Sequence, residues 1–97
     1  MFTFIDTPGH GYLKVPIRAI PTGIIKQITQ CSPKTDNFYY LEEDQDAGLF
    51  IEWYIRAHGI NSYSDFWNNH TQDRYVETNS LVDDIYERGD IWKKTML

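Results

Sequence analysis

Apolar and polar positions follow their most regular pattern between Asn37 and Ile60. The pattern opens with an aromatic-rich run at residues 37–41, a composition that suits the pleated, half-buried surface of a β-strand. Four carboxylates within residues 42–46 then end the strand. Beyond them apolar residues recur at three- and four-residue steps, which predicts an amphipathic helix over about residues 46–58. Its apolar face would carry Leu49, Phe50, Trp53, Tyr54 and Ala57.

Both ends of this predicted helix carry recognisable signals. Asp44 and Asp46 are each suited to the N-cap, because a short carboxylate accepts hydrogen bonds from the first-turn amides and complements the helix dipole. Gly59 follows the last apolar position and can adopt the left-handed conformation of a C-terminal cap. Ile60 would then fold back on Ile55, the contact that accompanies a Schellman motif.

The N-terminal pattern predicts a β-hairpin. Apolar residues dominate 1–5 and 12–15, and Pro8 with Gly9 and Gly11 marks a turn between them. A short helix is expected over 16–20, with Pro16 at its first position and Pro21 ending it. The isoleucines at 24, 25 and 28 fit either a helical turn or an extended segment.

Beyond Gly59 the pattern weakens. The imperfect alternation at 60–67 allows a strand, and residues 68–71 have the composition of a turn. Ser80 and Asp83 resemble a capping box that would begin a last short helix before Gly89. The predicted fold is a single α+β domain over residues 1–97. The hairpin and a strand at 38–41 form a small, mostly antiparallel sheet, with one main helix and a short C-terminal helix packed on it.

Length and charge narrow the class of protein. Ninety-seven residues suffice for one hydrophobic core. A formal net charge of −5 disfavours direct binding to nucleic acid or to an anionic membrane, since both depend on lysine and arginine near phosphate. Cys31 is the only cysteine, and the sequence shows neither a signal-peptide pattern nor an apolar membrane span. A cytosolic location, in a host cell cytosol, is expected.

Three motifs in the first 60 residues give a family resemblance. They are a Gly-His-Gly followed by an aromatic and Leu-x-Val at 9–15, an Ile-Thr-x-x-Ser stretch at 28–32, and Tyr-Leu-Glu-Glu-Asp-x-Asp at 40–46. In order and spacing the chain resembles a family of small proteins encoded by bacteriophages and plasmids. The resemblance implies an origin in a mobile genetic element and implies no activity. It does not extend to Pro21, Gly23 or the tail from Thr78.

The acidic run invites three interpretations. As a calcium loop counted from Asp44 it fails, because Leu49 stands where the loop needs glycine and Ile55 where it needs glutamate. As a solvated turn with helix caps it needs no ligand. As an acidic patch it would dock a basic protein groove, since complementary charge speeds association and exposed aromatics favour binding. The residues predicted for that protein-binding surface are Glu42, Glu43, Asp44, Asp46 and Trp67.

The Gly9-His10-Gly11 tip is the alternative binding candidate. Flanking glycines let backbone amides approach a phosphate, and a histidine between them can bind or transfer a proton. The simpler interpretation is conformational, because tight turns need glycine. A nucleotide-binding or nucleotide-sequestering protein would use Gly9, His10, Gly11, Tyr12 and Lys14.

Enzymatic function finds less support in the sequence. A metal- or histidine-dependent hydrolase is the third hypothesis, but no nucleophile, base and orienting group stand at motif spacing, so no catalytic residue and no metal ligand is nominated. No cofactor is expected. The leading hypothesis is a mobile-element accessory protein that binds a host macromolecule, for instance to inhibit a bacterial defence system. A host protein is thus the expected partner, a nucleotide ligand and homo-oligomers stay open, and a membrane partner is not expected.

Overall fold

A four-stranded mixed sheet carries the described part of the chain, residues 1–75 of a computed structural model. The strands are β1 (Phe2–Thr7), β2 (His10–Pro16), β3 (Phe38–Glu42) and β4 (Thr71–Tyr75), in the order β3-β2-β1-β4. The helices are α1 (Thr22–Ile25), α2 (Ala47–His58) and α3 (Tyr63–His70). β2 pairs antiparallel with β1 and β3, whereas β4 pairs parallel with β1. The predicted α+β class is confirmed; the predicted C-terminal helix lies outside the described residues.

The N-terminal hairpin forms as predicted. Thr7 pairs with His10, so the turn consists of Pro8 and Gly9, and Gly9 has a φ of +94° that only glycine adopts easily. The Thr7 hydroxyl donates to the His10 carbonyl oxygen at 2.7 Å and fixes the tip. The hairpin therefore explains Gly9 by backbone conformation alone.

Helix α2 forms at the predicted place, but the face that it buries differs from the predicted one. It buries Ala47, Phe50 and Ile51. Of the other residues predicted for the apolar face, Leu49, Trp53 and Tyr54 are half-buried and Ala57 is exposed. At its end Gly59 has a φ of +64°, and the Ile60 amide donates to the Ile55 carbonyl at 3.0 Å. That bond is the backbone hydrogen bond of a Schellman motif, as expected.

The capping prediction for Asp44 and Asp46 is wrong in its chemistry. Asp46 does occupy the N-cap position of α2, but its side chain makes no capping hydrogen bond. Its Oδ2 instead accepts three hydrogen bonds from the 29–32 loop, and the residue is only 1% exposed. Because a buried carboxylate needs hydrogen-bond donors, Asp46 turns toward the loop and anchors it.

Residues 60–75 depart furthest from the prediction. The strand allowed at 60–67 and the turn at 68–71 are wrong, because residues 63–70 form α3. Ser62 caps this helix by accepting from the Asp65 amide at 3.0 Å, and Phe66 is fully buried beneath it. Thr71 then opens β4, a polar edge strand that the pattern did not reveal.

The structure shows which elements follow Pro16 and Pro21. Pro16 ends β2 instead of opening a helix, and only Ile17–Ala19 form a short 3₁₀ turn, so the helix expected at 16–20 is shortened. Pro21 precedes α1. Ile24 and Ile25 lie within α1, so of the two predicted alternatives the helical turn is correct for them. Ile28 lies beyond it and joins the core.

The core lies between the sheet and the helices. Leu13 and Val15 of β2 and Tyr39 and Leu41 of β3 face α2 and α3. The Phe2 ring of β1 meets the rings of Phe50, Tyr54 and Phe66 edge-on or stacked, with centroids 5.2–6.1 Å apart. Strand alternation places Ile5 and Tyr40, a separate small cluster, on the opposite face of the sheet. The contact between Phe2 and Phe66 holds α3 against β1. The polar side of α3 therefore lies beside the end of the sheet.

Candidate functional site

A cleft of about 390 Å³ opens where α3 meets the hairpin end of the sheet. It combines two carboxylates, an indole and an amide on a partly apolar floor. We call it the acidic-aromatic cleft; its lining residues are Phe4, Glu43, Trp67, Asn68, Thr71 and Asp73. No lysine or arginine is among these residues, so the cleft is a local concentration of negative charge.

The absence of a side chain at Gly11 allows the residues of the cleft floor to pack closely. A Cβ at Gly11 would overlap the Phe4 ring carbon Cζ and lie 3.0 Å from Glu43 Oε1. The Glu43 amide donates to the Gly11 carbonyl oxygen at 2.9 Å, which extends the β2–β3 pairing past the strand end. Because Gly11 has no side chain, the Phe4 ring and the Glu43 carboxylate can both approach it. The second glycine of the hairpin motif thus serves close packing.

Trp67 forms the wall opposite Glu43. Its indole packs edge-on against the Phe4 ring, with centroids 5.2 Å apart and an interplanar angle of 87°. The fully buried Phe66 beside it holds α3 on the core. The Thr71 hydroxyl donates to the Trp67 carbonyl oxygen at 2.7 Å and joins α3 to β4. The half-buried Trp67 therefore presents its indole from a fixed backbone.

β4 supplies the second carboxylate of the cleft. Asp73 pairs in register with Phe4 of β1, so the two residues share the helix-bearing side of the sheet. Asp6 follows two positions along β1 on that same side. The polar strand thereby adds to the charge near Glu43.

Several carboxylates lie close together at the cleft and repel one another. Desolvation by burial raises the pKa of Glu43, and repulsion from Asp44, Asp6 and Glu42 raises it further. Because its pKa is raised, the ionised form of Glu43 is less favourable in the folded protein than it would be in water. A cation placed among these groups relieves that repulsion.

The predicted acidic surface does not form as one patch. Glu43 lines the cleft with Trp67, and Asp44 is exposed beside it. Glu42 is only 7% exposed and turns to the opposite face, where its Oε1 lies 3.9 Å from His10 Nδ1 and both carboxylate oxygens accept from the Asp44 amide at 3.2 Å. Asp46 points into the core. Strand alternation separates Glu42 from Glu43, and the loop donors draw Asp46 inward.

The residues of the alternative site are likewise divided. His10, Tyr12 and Lys14 share one face of β2, and the His10 and Tyr12 rings are 6.4 Å apart. Burial raises the pKa of Tyr12, and Glu42 and Cys31 add to the effect by repulsion. Lys14 Nζ lies over the Phe38 ring at 4.4 Å. Gly9 belongs to the turn and Gly11 to the cleft, so the glycines do not surround His10.

Asp73 of the cleft, and Asp6, whose charge acts on Glu43, are acidic residues that sequence reasoning missed. The alternation of Phe2 and Phe4 could have placed Asp6 on the helix-bearing face of β1, because it continues their two-residue step. Asp73 carried no such signal, since nothing in its neighbourhood predicted a strand parallel to β1.

Two other classes of feature are absent from residues 1–75. No group of three or more histidine, cysteine, aspartate or glutamate side chains is arranged to hold a metal ion there. In that same part of the chain, no helix has the length and apolar character needed to cross a membrane.

Comparisons with protein-family models, with curated protein sequences and with solved structures find no match to this chain.

Proposed function

We propose that this chain is a small binding protein that takes a lysine or arginine of a basic protein segment into the acidic-aromatic cleft. The observation that carries the proposal is the meeting of Glu43, Trp67 and Asp73 in one concavity. Carboxylates and an indole together suit an organic cation, which gains both ion pairing and attraction to the aromatic face. The negative net charge would favour the approach of such a partner.

The biological form of the proposal is an accessory protein of a mobile genetic element. Its partner would be a host protein in the host cytosol, for instance a component of a bacterial defence system. The motif resemblance supports this origin, and the cleft supports a protein partner with exposed basic residues. A defence protein that handles nucleic acid would offer a basic surface of this kind.

Peptide binding provides the direct test. Isothermal titration would compare a lysine-rich peptide, its fully acetylated form and a glutamate-rich peptide, each at about 50 mM and about 300 mM salt. We expect binding of the unmodified basic peptide only, with affinity falling at the higher salt. Trp67→Ala and the double variant Glu43→Gln, Asp73→Asn should each weaken binding by about tenfold or more.

Glu52→Gln, compared with Glu43→Gln alone, is the control matched in charge. It removes one carboxylate from an exposed position on α2, away from the cleft, and should leave peptide affinity within about twofold. Equal binding of the acetylated peptide, or equal losses for the control and the cleft variants, would show that the cleft does not recognise a cation.

Nucleotide binding is the second candidate, favoured by the shared face of His10, Tyr12 and Lys14 on β2. Tyr12 could stack on a base while Lys14 or His10 contacts phosphate. A thermal-shift panel of mono- and dinucleotides would show stabilisation in proportion to occupancy. Stabilisation that Tyr12→Ala removes and Trp67→Ala leaves unchanged would favour this function over the cleft.

A further inference from the structure

A second concavity lies on the outer side of α2, away from the acidic-aromatic cleft. It has a volume of about 490 Å³ and runs between α1 and α2. We call it the α1–α2 groove; it is lined by Ile24 and Gln27 of α1 and by Leu49, Glu52, Trp53, Arg56 and Ala57 of α2. The α2 residues recur at steps of three and four, so the helix carries a second stripe besides its buried face.

The stripe has an apolar centre and one charged flank. Leu49, Trp53 and Ala57 lie four residues apart along its centre, and Leu49 and Trp53 are only half-buried. Glu52 and Arg56 lie on the same flank, 3.9 Å apart, with side chains 61% and 80% exposed. A groove about two turns long, with a helical stripe as one wall, fits another helix.

The order of charge on that flank is complementary to that of a second copy of this chain. When two identical helices pack antiparallel, equivalent flanks face each other in reversed order. Glu52 would then face Arg56 of the second copy, and Arg56 would face Glu52 of the second copy, with the two-fold axis beside Trp53. Parallel packing would instead place the charged flank against the uncharged flank of the second copy.

We propose that the α1–α2 groove is a self-association surface, in which two copies of this chain pack α2 against α2 antiparallel about a two-fold axis. The geometry makes each contact occur twice, as in isologous dimers. The groove is short, so a reversible dimer is expected, with a dissociation constant of about 10–100 µM. The groove and the acidic-aromatic cleft use different residues, and dimerisation and peptide binding can therefore be lost independently.

Charge reversal tests both the surface and the orientation. Sedimentation equilibrium of the full chain should show a mass rising from 11.5 kDa toward twice that value with concentration. Glu52→Arg places two cations on each flank, and Arg56→Glu places two anions there, so each variant alone should dimerise about tenfold more weakly. A mixture of the two variants should associate about as well as the wild type, because an antiparallel pair then matches every charge.

The controls separate this surface from general effects. Arg18→Glu makes the same charge change as Arg56→Glu at an exposed position outside the groove and should leave dimerisation unchanged. Thermal unfolding of each variant checks that the fold is intact. A wild type that stays monomeric to about 1 mM, unaltered association of the single variants, or a mixture that does not associate would each overturn the proposal. The proposal would also be overturned if the groove bound a helix of another protein but not a second copy of this chain.

Discussion

The Ser32 hydroxyl donates to Asp46 Oδ2 at 2.5 Å while it accepts from the Glu42 amide at 2.8 Å. One buried serine thus joins the 29–32 loop, the end of β3 and the start of α2. The same Asp46 oxygen also accepts from the Thr29 amide at 3.0 Å and from its hydroxyl at 2.8 Å. The carboxylate therefore stabilises the fold, and this explains why it contributes nothing to the surface.

Asp46→Ala should lower the free energy of unfolding by about 2–4 kcal/mol. The reason is that three donors lose their acceptor, among them the buried Ser32 hydroxyl, and a buried donor without a partner is costly. Urea denaturation monitored by circular dichroism would measure the change. Asp44→Ala is the matched control, because Asp44 is exposed two residues away, and it should change stability by less than about 0.5 kcal/mol. Similar losses in both variants would contradict a special role for Asp46.

Local patterns predicted the elements whose signals are local. The hairpin, β3 and α2 each combine a clear period with a turn or cap at their ends, so their sequences suffice. α3 also carried a signal: residues 63, 66, 67 and 70 have helical spacing, and Ser62 precedes them as an N-cap. Its polar face obscures that signal, because the same residues also show the imperfect alternation that allows a strand.

β4 could not be predicted because its partner is distant in sequence. Its residues are polar, and what makes them a strand is parallel pairing with β1, where Gln72 meets Thr3 across 69 positions. The cleft depends on this strand for Asp73 and on α3 for Trp67. The sequence therefore predicts Glu43 and Trp67 as members of one binding surface, whereas the cleft that they form with Asp73 follows only from the tertiary structure.

Gly11→Ala should destabilise the protein by about 1–3 kcal/mol for a steric reason. The new methyl group would overlap the end of the Phe4 ring, which packs on Trp67 in turn. Denaturation should show the loss, and basic-peptide affinity should fall because the cleft floor shifts. Phe4→Leu combined with Gly11→Ala should recover part of the stability, as expected when two residues are in contact.

Gly23→Ala is the comparison for Gly11→Ala. Gly23 lies in α1, and among residues 1–75 no atom beyond its chain neighbours and its own helix backbone lies within 4 Å of an added Cβ; its φ is not positive. Alanine there should leave stability unchanged or raise it by up to about 1 kcal/mol. If both alanine variants behave alike, the Phe4 contact does not determine the cost at Gly11.

Gly59→Ala should lower the free energy of unfolding by about 1 kcal/mol through backbone conformation alone. The residue has a φ of +64°, and in the described part of the chain no atom beyond its immediate neighbours lies within 4 Å of an added Cβ, so no clash with residues 1–75 contributes. The Ile60 to Ile55 hydrogen bond depends on this left-handed turn. Gly59→Asn should cost less, because asparagine tolerates that conformation better. An equal cost for both variants would point to a different cause.

Glu43→Gln should raise stability at neutral pH, and the gain should disappear in acid. Burial and the neighbouring carboxylates raise the pKa of Glu43 above its ordinary 4.5, so the folded state binds this proton more tightly than the unfolded state does. Ionised Glu43 therefore lowers the free energy of unfolding at pH 7. The penalty fades as the pH falls through the raised pKa and is gone below the ordinary value.

Denaturation of the wild type and of Glu43→Gln between pH 3.5 and 7 would measure this difference, which should stay below about 1 kcal/mol because solvent screens the group. In an Asp44→Asn background the gap should narrow, since one repelling charge has been removed. A bound cation opposes the same repulsion and should lower the pKa of Glu43. Peptide affinity should accordingly weaken as the pH falls toward the raised pKa. A variant less stable than the wild type at pH 7 would mean that the Glu43 carboxylate makes a favourable interaction, contrary to the crowding of charge described for the cleft.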